Sequence, residues 1–256
     1  MSPHTRHFFE LLWGMTEKEL HARYKNTIFG FLWLAVNPLL QMLVIGFIFQ
    51  FFIKNPIHNY NYFLFVGLLV WNFFSLSLTK AAPSIVFERA LIKKAVFPRA
   101  VIPLAIITSN LVHFVVALVL FVSVVIIILG APPLAFFVPM TGGLFLLTAL
   151  TIGLSLLTSA LNVRYRDIQF FVQAALLLWF YTTPIIYTID LIPEGVRWIW
   201  NLNPLTAAIQ LFQHAILATP LPSANTLITG ALITICVLFI GGVVFQKESK
   251  YFDDWI

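Results

Sequence analysis

Six apolar runs divide the chain, at about 28–53, 62–86, 101–129, 136–161, 169–187 and 224–245. A hydrocarbon core of roughly 30 Å needs about 20 helical residues to cross it. The pattern therefore predicts an all-α integral membrane protein with six transmembrane helices. Residues 1–27 read differently, as an N-terminal interfacial amphipathic helix. Phe8, Leu11, Leu12 and Met15 fall at helical spacing, while Arg6, Glu10, Glu17 and Lys18 lie mostly elsewhere on the wheel. Ser2-Pro3 suits a helix start, and Trp13 suits an interfacial anchor. Thr16 followed by Glu19 has capping-box spacing, which predicts a break near Gly14 and a second short helix. The same wheel also fits a soluble helix packed on a partner.

Between the fifth and sixth runs, residues 188–223 are too polar in part to cross, with Asp190, Glu194 and Arg197 followed by Trp198 and Trp200. Leu205 to Leu217 is helix-length and moderately apolar but carries Gln210, Gln213 and His214. An apolar stretch this short predicts a re-entrant or interfacial segment before the last span, which leaves open a re-entrant helical hairpin or a plain aromatic belt. The tail, 246–256, is short and mixed in charge, and Asp253-Asp254 reads as solvated. The whole of 1–256 is expected to be one transmembrane domain: interfacial helix, spans one to five over 28–187, hairpin, span six, tail. Within the first run, Asn37 precedes Pro38, and a polar side chain at that depth should face protein or water rather than lipid.

Composition agrees: 60% of residues are hydrophobic and 10% charged, where soluble domains carry about a quarter charged. The formal charge of +5 borders the apolar runs instead of forming a continuous basic face, so no nucleic-acid partner is expected. Of fifteen Lys and Arg, only Lys54 and Arg197 fall on one side of the predicted spans and thirteen on the other. That asymmetry predicts a multi-pass protein of the cytoplasmic membrane with both termini inside. The first 25 residues lack the apolar core of a cleavable signal peptide. The single cysteine, Cys236, is expected as packing. No internal repeat is evident, which disfavours inverted-repeat carriers.

Chemistry narrows the function by what is missing. No glycine is followed by Lys-Ser or Lys-Thr, so the chain has no P-loop, and an energised transporter would need a separate ATPase. There is no His-Glu-x-x-His, no Cys-x-x-Cys and no Asp-rich pair for magnesium-dependent prenyl transfer. His113 is the one histidine inside a predicted span and is expected to be packing. Acidic residues lie outside the spans or at their edges, unlike the buried relays of proton-driven carriers. No cofactor is expected on this chain.

Three motifs carry a resemblance. Arg23-Tyr24-Lys25-x-Thr27-x-x-Gly30-x-x-Trp33 with Asn37-Pro38-Leu39, the turn Asn162-Val163-x-x-Arg166-Asp167-Ile168, and Thr183-Pro184-x-x-Tyr187 resemble the permease subunits of type-2 ABC exporters for lipid-linked polysaccharides. The resemblance covers nearly the whole chain. It implies a homodimer with two cytoplasmic ATPase subunits that hold ATP and Mg, exporting a polyprenyl-diphosphate-linked glycan such as O-antigen, capsule or teichoic acid. It further implies ATPase coupling through two inner connectors, Glu88, Arg89, Lys93 and Lys94 in the first and Arg164, Tyr165, Arg166 and Asp167 in the second. Topogenic charge alone is the competing reading of both. Arg23, Tyr24 and Lys25 are placed to attract the lipid diphosphate. Aromatic faces suit sugar C–H surfaces, so Tyr60, Tyr62, Trp71, Phe74, Trp179, Tyr181, Tyr187, Trp198 and Trp200 are candidates for a glycan channel or gate, with lipid-facing anchors as the alternative. A drug or small-lipid exporter, an intramembrane polyprenyl-phosphate enzyme and a substrate-free scaffold are the other readings.

Overall fold

The computed structural model describes residues 3–24, 33–52, 59–95, 97–130 and 136–255; the side chains of 3–5, 23, 24, 34, 35, 50–52, 129 and 254 are not described. Lys25 therefore lies outside the described residues, and so do the side chains of Arg23 and Tyr24.

Helix is the regular structure throughout the described residues. In chain order these are α1 (Pro3–Tyr24), α2 (Trp33–Phe52), α3 (Tyr60–Ala81), two short helices α4 (Ser84–Phe87) and α5 (Arg89–Lys94), α6 (Val101–Leu129), α7 (Phe137–Arg164) and α8 (Ile168–Tyr181). One-turn 3-10 helices at Ile189–Leu191 and Glu194–Val196 lead to α9 (Arg197–Asn201), α10 (Pro204–Leu217), α11 (Ala224–Glu248) and, after a further turn, α12 (Phe252–Trp255). Among the described residues, α3, α6, α7 and α11 are long and apolar enough to cross a membrane, and α2 and α8 contain shorter apolar stretches.

α3 is the central post of the bundle. Its apolar window is 72% buried by the rest of the protein, against 17% for α11. The difference follows from the side chains each offers. α3 carries Asn72, Ser75, Ser77 and Thr79, which need protein or water partners at membrane depth. α11 turns Ile228, Leu232, Ile235 and Phe239 outward, as lipid contact requires. The main core joins Leu64, Phe74, Ile107, Leu147, Leu150, Ile185 and Phe212 from α3, α6, α7, α10 and the segment after α8.

The tightest joint is between α7 and α11. A Cβ at Gly241 would run into the Gly153 carbonyl oxygen, and one at Gly153 would stand 2.7 Å from the Leu238 backbone. Two helix backbones meet there, and such close approach lets dispersion hold helices together where no hydrophobic drive exists.

Four expectations need correction. α1 runs unbroken through Gly14; Thr16 is buried and its hydroxyl donates back to the Leu12 carbonyl (2.7 Å) instead of capping a new helix. The apolar face Phe8, Leu11, Leu12, Met15 does pack inward, against α6 and its neighbours, while Phe9 and Trp13 stay exposed. Cys236 is exposed on α11 and is not a packing residue. Phe74 is fully enclosed, with Trp71 and Trp179 ring centroids at 5.9 and 5.2 Å, so it lines no path. Asp253 is not merely solvated, because Arg99 donates to its carboxylate.

Candidate functional site

At one end of the bundle the basic connectors come together. α4 and α5 follow α3 through a tight turn in which the Ser84 hydroxyl donates to the Ala81 carbonyl (2.7 Å). Arg89, Lys93 and Lys94 are exposed, whereas Glu88 is engaged by Lys18 of α1 at 2.6 Å. The second connector is short and braced. Buried Asn162 accepts the Gln169 amide (3.0 Å) across it, and the Tyr165 amide donates to the Leu161 carbonyl (2.8 Å). This leaves Arg164, Tyr165, Arg166 and Asp167 all exposed on a segment with no slack.

The C-terminal tail, read from the sequence as short and mixed in charge, ties the two connectors together. Phe252 is fully buried against Phe245 (5.6 Å). Arg99, at the exit of the first connector, donates to Asp253 and to the Ser249 carbonyl. Arg164, at the start of the second, lies over the Trp255 ring (5.2 Å). The spaced aromatics of the tail were the available signal, since Phe252 and Trp255 fall one turn apart.

Midway along the bundle an open groove of about 450 Å³ lies between α2, α3 and α8. Asn72 donates to Gln41 (3.1 Å), whose own amide reaches Asn37 (3.5 Å). Ser75, Thr79 and Gln173 add polar atoms, and Trp71, Phe180 and Tyr181 supply ring surface. Asn37 is exposed, as is Tyr181 at 60%. Polar side chains at such depth are not left to lipid.

At the far end, Asn203 fixes the start of α10. Its Oδ1 accepts from the Leu205 amide (3.1 Å), an N-cap with Pro204 at the first helical position, and also from Trp179 Nε1 (2.9 Å). Its Nδ2 donates to the Thr183 hydroxyl (2.9 Å) and the Thr182 carbonyl (3.4 Å). Nearby, Trp200 donates to the Tyr187 hydroxyl, which donates in turn to the Tyr181 carbonyl, both at 2.8 Å. Tyr60 donates to the Ile186 carbonyl (3.0 Å), and Ile185 rests on Gly67 of α3, where a Cβ would lie 3.0 Å from it. The Thr183-to-Tyr187 segment is thus clamped between α3 and the stretch from Trp200 to Asn203. Tyr62, Trp179 and Trp200 are half-buried, and Trp198 is exposed. The Asn203-Pro204 pair was readable as a helix start; its second role, accepting from Trp179, was not.

The model of the ABC-2 type transporter family matches residues 10–217. Two proteins of Klebsiella pneumoniae, each named O-antigen export system permease protein RfbA, are 35% and 36% identical over 96% of this chain and 95% of their own length. A protein of the same name from Myxococcus xanthus is 33% identical with the same coverage. Matched so nearly end to end, the chain belongs to the ABC-2 type transporter family and is a multi-pass membrane protein.

Proposed function

We propose that this chain is the permease subunit of an ATP-driven exporter that moves a polyprenyl-diphosphate-linked polysaccharide of the O-antigen kind across the cytoplasmic membrane. The observation that carries the conduit is the groove between α2, α3 and α8. It sets Gln41, Asn72 and Gln173 beside rings at membrane depth, yet one chain leaves it open. A second copy of the chain completes it into a path. The substrate class follows from the relatives' names. The crossings are α2, α3, α6, α7, α8 and α11, in the orientation that puts the basic connectors inside. α8 with 14 residues spans only about 21 Å, and the clamped segment after it covers the remaining depth. α10 and its preceding hairpin form the outer gate, with Tyr181, Tyr187, Trp198 and Trp200 at its edge.

The two connectors and the tail that joins them receive two ATPase subunits, which hold ATP and Mg. A braced turn transmits a push from such a partner without absorbing it. Arg23, Tyr24 and Lys25 attract the diphosphate at the inner surface.

The test is reconstitution of the chain with its ATPase subunit in proteoliposomes. Lipid-linked glycan should stimulate ATP hydrolysis, and charge reversal at Arg23 and Lys25 should lower that stimulation while leaving assembly intact. Absence of any stimulation, or export without the ATPase, overturns the reading.

A further inference from the structure

A second cavity, of about 560 Å³, lies at the far end between the start of α3, the segment after α8, the hairpin and α10. It shares no residue with the groove of the proposed path. α10 contributes two amides to its lining, Gln210 and Gln213, one turn apart. Gln213 is only 3% exposed, yet among the described residues its Nε2 donates to nothing. The buried Oε1 of Gln210 accepts nothing from them. Arg197, also on the wall, gives Nη2 to the Ile192 carbonyl (3.0 Å), while its buried Nε finds no acceptor among the described residues. Unmatched buried polar groups each cost about 1–3 kcal/mol, and natural proteins rarely leave three on one cavity without a partner to fill them.

The wall defines that partner's chemistry. Four amides line it, Asn59, Asn201, Gln210 and Gln213, and the charges are one guanidinium, Arg197, against one carboxylate, Asp190. An anion would ask for a surplus of cations, and an apolar molecule would leave the amides unpaired. A molecule whose hydroxyls both donate and accept answers them, and its C–H faces can rest on the rings of Phe63 and Tyr187. The volume is of the size used for small ligands. We propose that this cavity is a binding subsite for one sugar unit of an uncharged glycan, within each chain and separate from the path between copies. The proposal rests on the export reading above and extends it to a holding point at the exit.

The test uses the full-length chain with its ATPase subunits in lipid nanodiscs and a panel of mannose, galactose and N-acetylglucosamine trisaccharides. Saturation-transfer NMR should show at least one of them bound, with affinity about tenfold weaker in Gln213→Met, the loss of about one buried hydrogen bond. Because that substitution removes an unpaired buried amide without emptying the site, its unfolding midpoint should equal or exceed the wild type's. A merely structural amide would instead lower it. Gln210→Leu should weaken binding in the same direction. Binding by neither protein, as for a cavity that holds only water, or equal binding by both, overturns the proposal. Surface glycan measured in cells separates the two claims. If deleting the chain leaves surface glycan unchanged, the export reading falls. If export needs the chain but Gln213→Met binds the trisaccharide normally, only the subsite falls.

Discussion

At the scale of single residues, the molecule depends most on positions that carry little or no side chain. Gly153 and Gly241 let α7 and α11 touch backbone to backbone, and a methyl at either would run into main-chain atoms of the other helix. Main chain cannot swing aside as a side-chain tip can. Gly153→Ala and Gly241→Ala should therefore each cost ~1–3 kcal/mol or more, read as a lower unfolding midpoint in detergent. Gly242→Ala, with nothing within 4 Å of its added Cβ, should change little, and equal loss at all three positions would refute the crossing. Asn203 is the polar counterpart. Asn203→Ala removes an N-cap, worth ~0.5–2 kcal/mol, and leaves the Trp179 N–H without its acceptor, a further ~1–3 kcal/mol. Asn203→Asp keeps both accepted bonds and should lose less, so the order Asn, Asp, Ala in thermal stability is the check. Which glycine met which helix was not readable, because it depends on contacts 88 residues apart, from Gly153 to Gly241.

Elements were more legible than residues. The apolar face of α1 and the six apolar runs follow from spacing alone, since period and length are properties of a chain in one dimension. The break expected near Gly14 failed for a physical reason. Thr16 has a choice between capping a new helix and bonding back to Leu12, and burial of its side chain by the rest of the protein decides for the second. The docking of the tail was missed because a stretch this short shows only one aromatic pair at helical spacing, Phe252 and Trp255, too little to set against its mixed charge. Its strength should reside in packing more than in charge. The Arg99–Asp253 pair has Asp253 at 56% side-chain exposure, and such pairs contribute about 0–1 kcal/mol. Phe252 is fully enclosed, and truncating a buried phenylalanine costs about 3–5 kcal/mol. Phe252→Ala should lower the unfolding midpoint markedly and expose the connectors at Arg89 and Arg166 to trypsin, while Asp253→Asn should do neither. Equal effects from the two would show the tail held by charge.

For the whole molecule, the arrangement of charge is the property that a lipid bilayer reads, and it was set out in the sequence before any contact was known. Thirteen basic residues on one side cannot by themselves say that α5, the 165–167 turn, α1 and the tail form one surface; the contacts Lys18–Glu88, Arg99–Asp253 and Arg164–Trp255 do. Together they make sidedness a sharp prediction, since every one of those elements must face the same compartment. Cys236 is free and exposed, so it is first replaced by serine to give a silent background. Single cysteines then go to Arg89 and Arg166 at the basic end and to Asp190 and Leu221 at the far end, all exposed positions. A membrane-impermeant maleimide added to intact cells should modify Asp190→Cys and Leu221→Cys and leave the other two untouched until the membrane is opened. Because the two ends are joined by α3, α6, α7 and α11, the labels must reverse together or not at all. Modification of Arg89→Cys or Arg166→Cys from outside would put the connectors beyond reach of any cytoplasmic ATPase, and the proposed coupling would fail with the orientation.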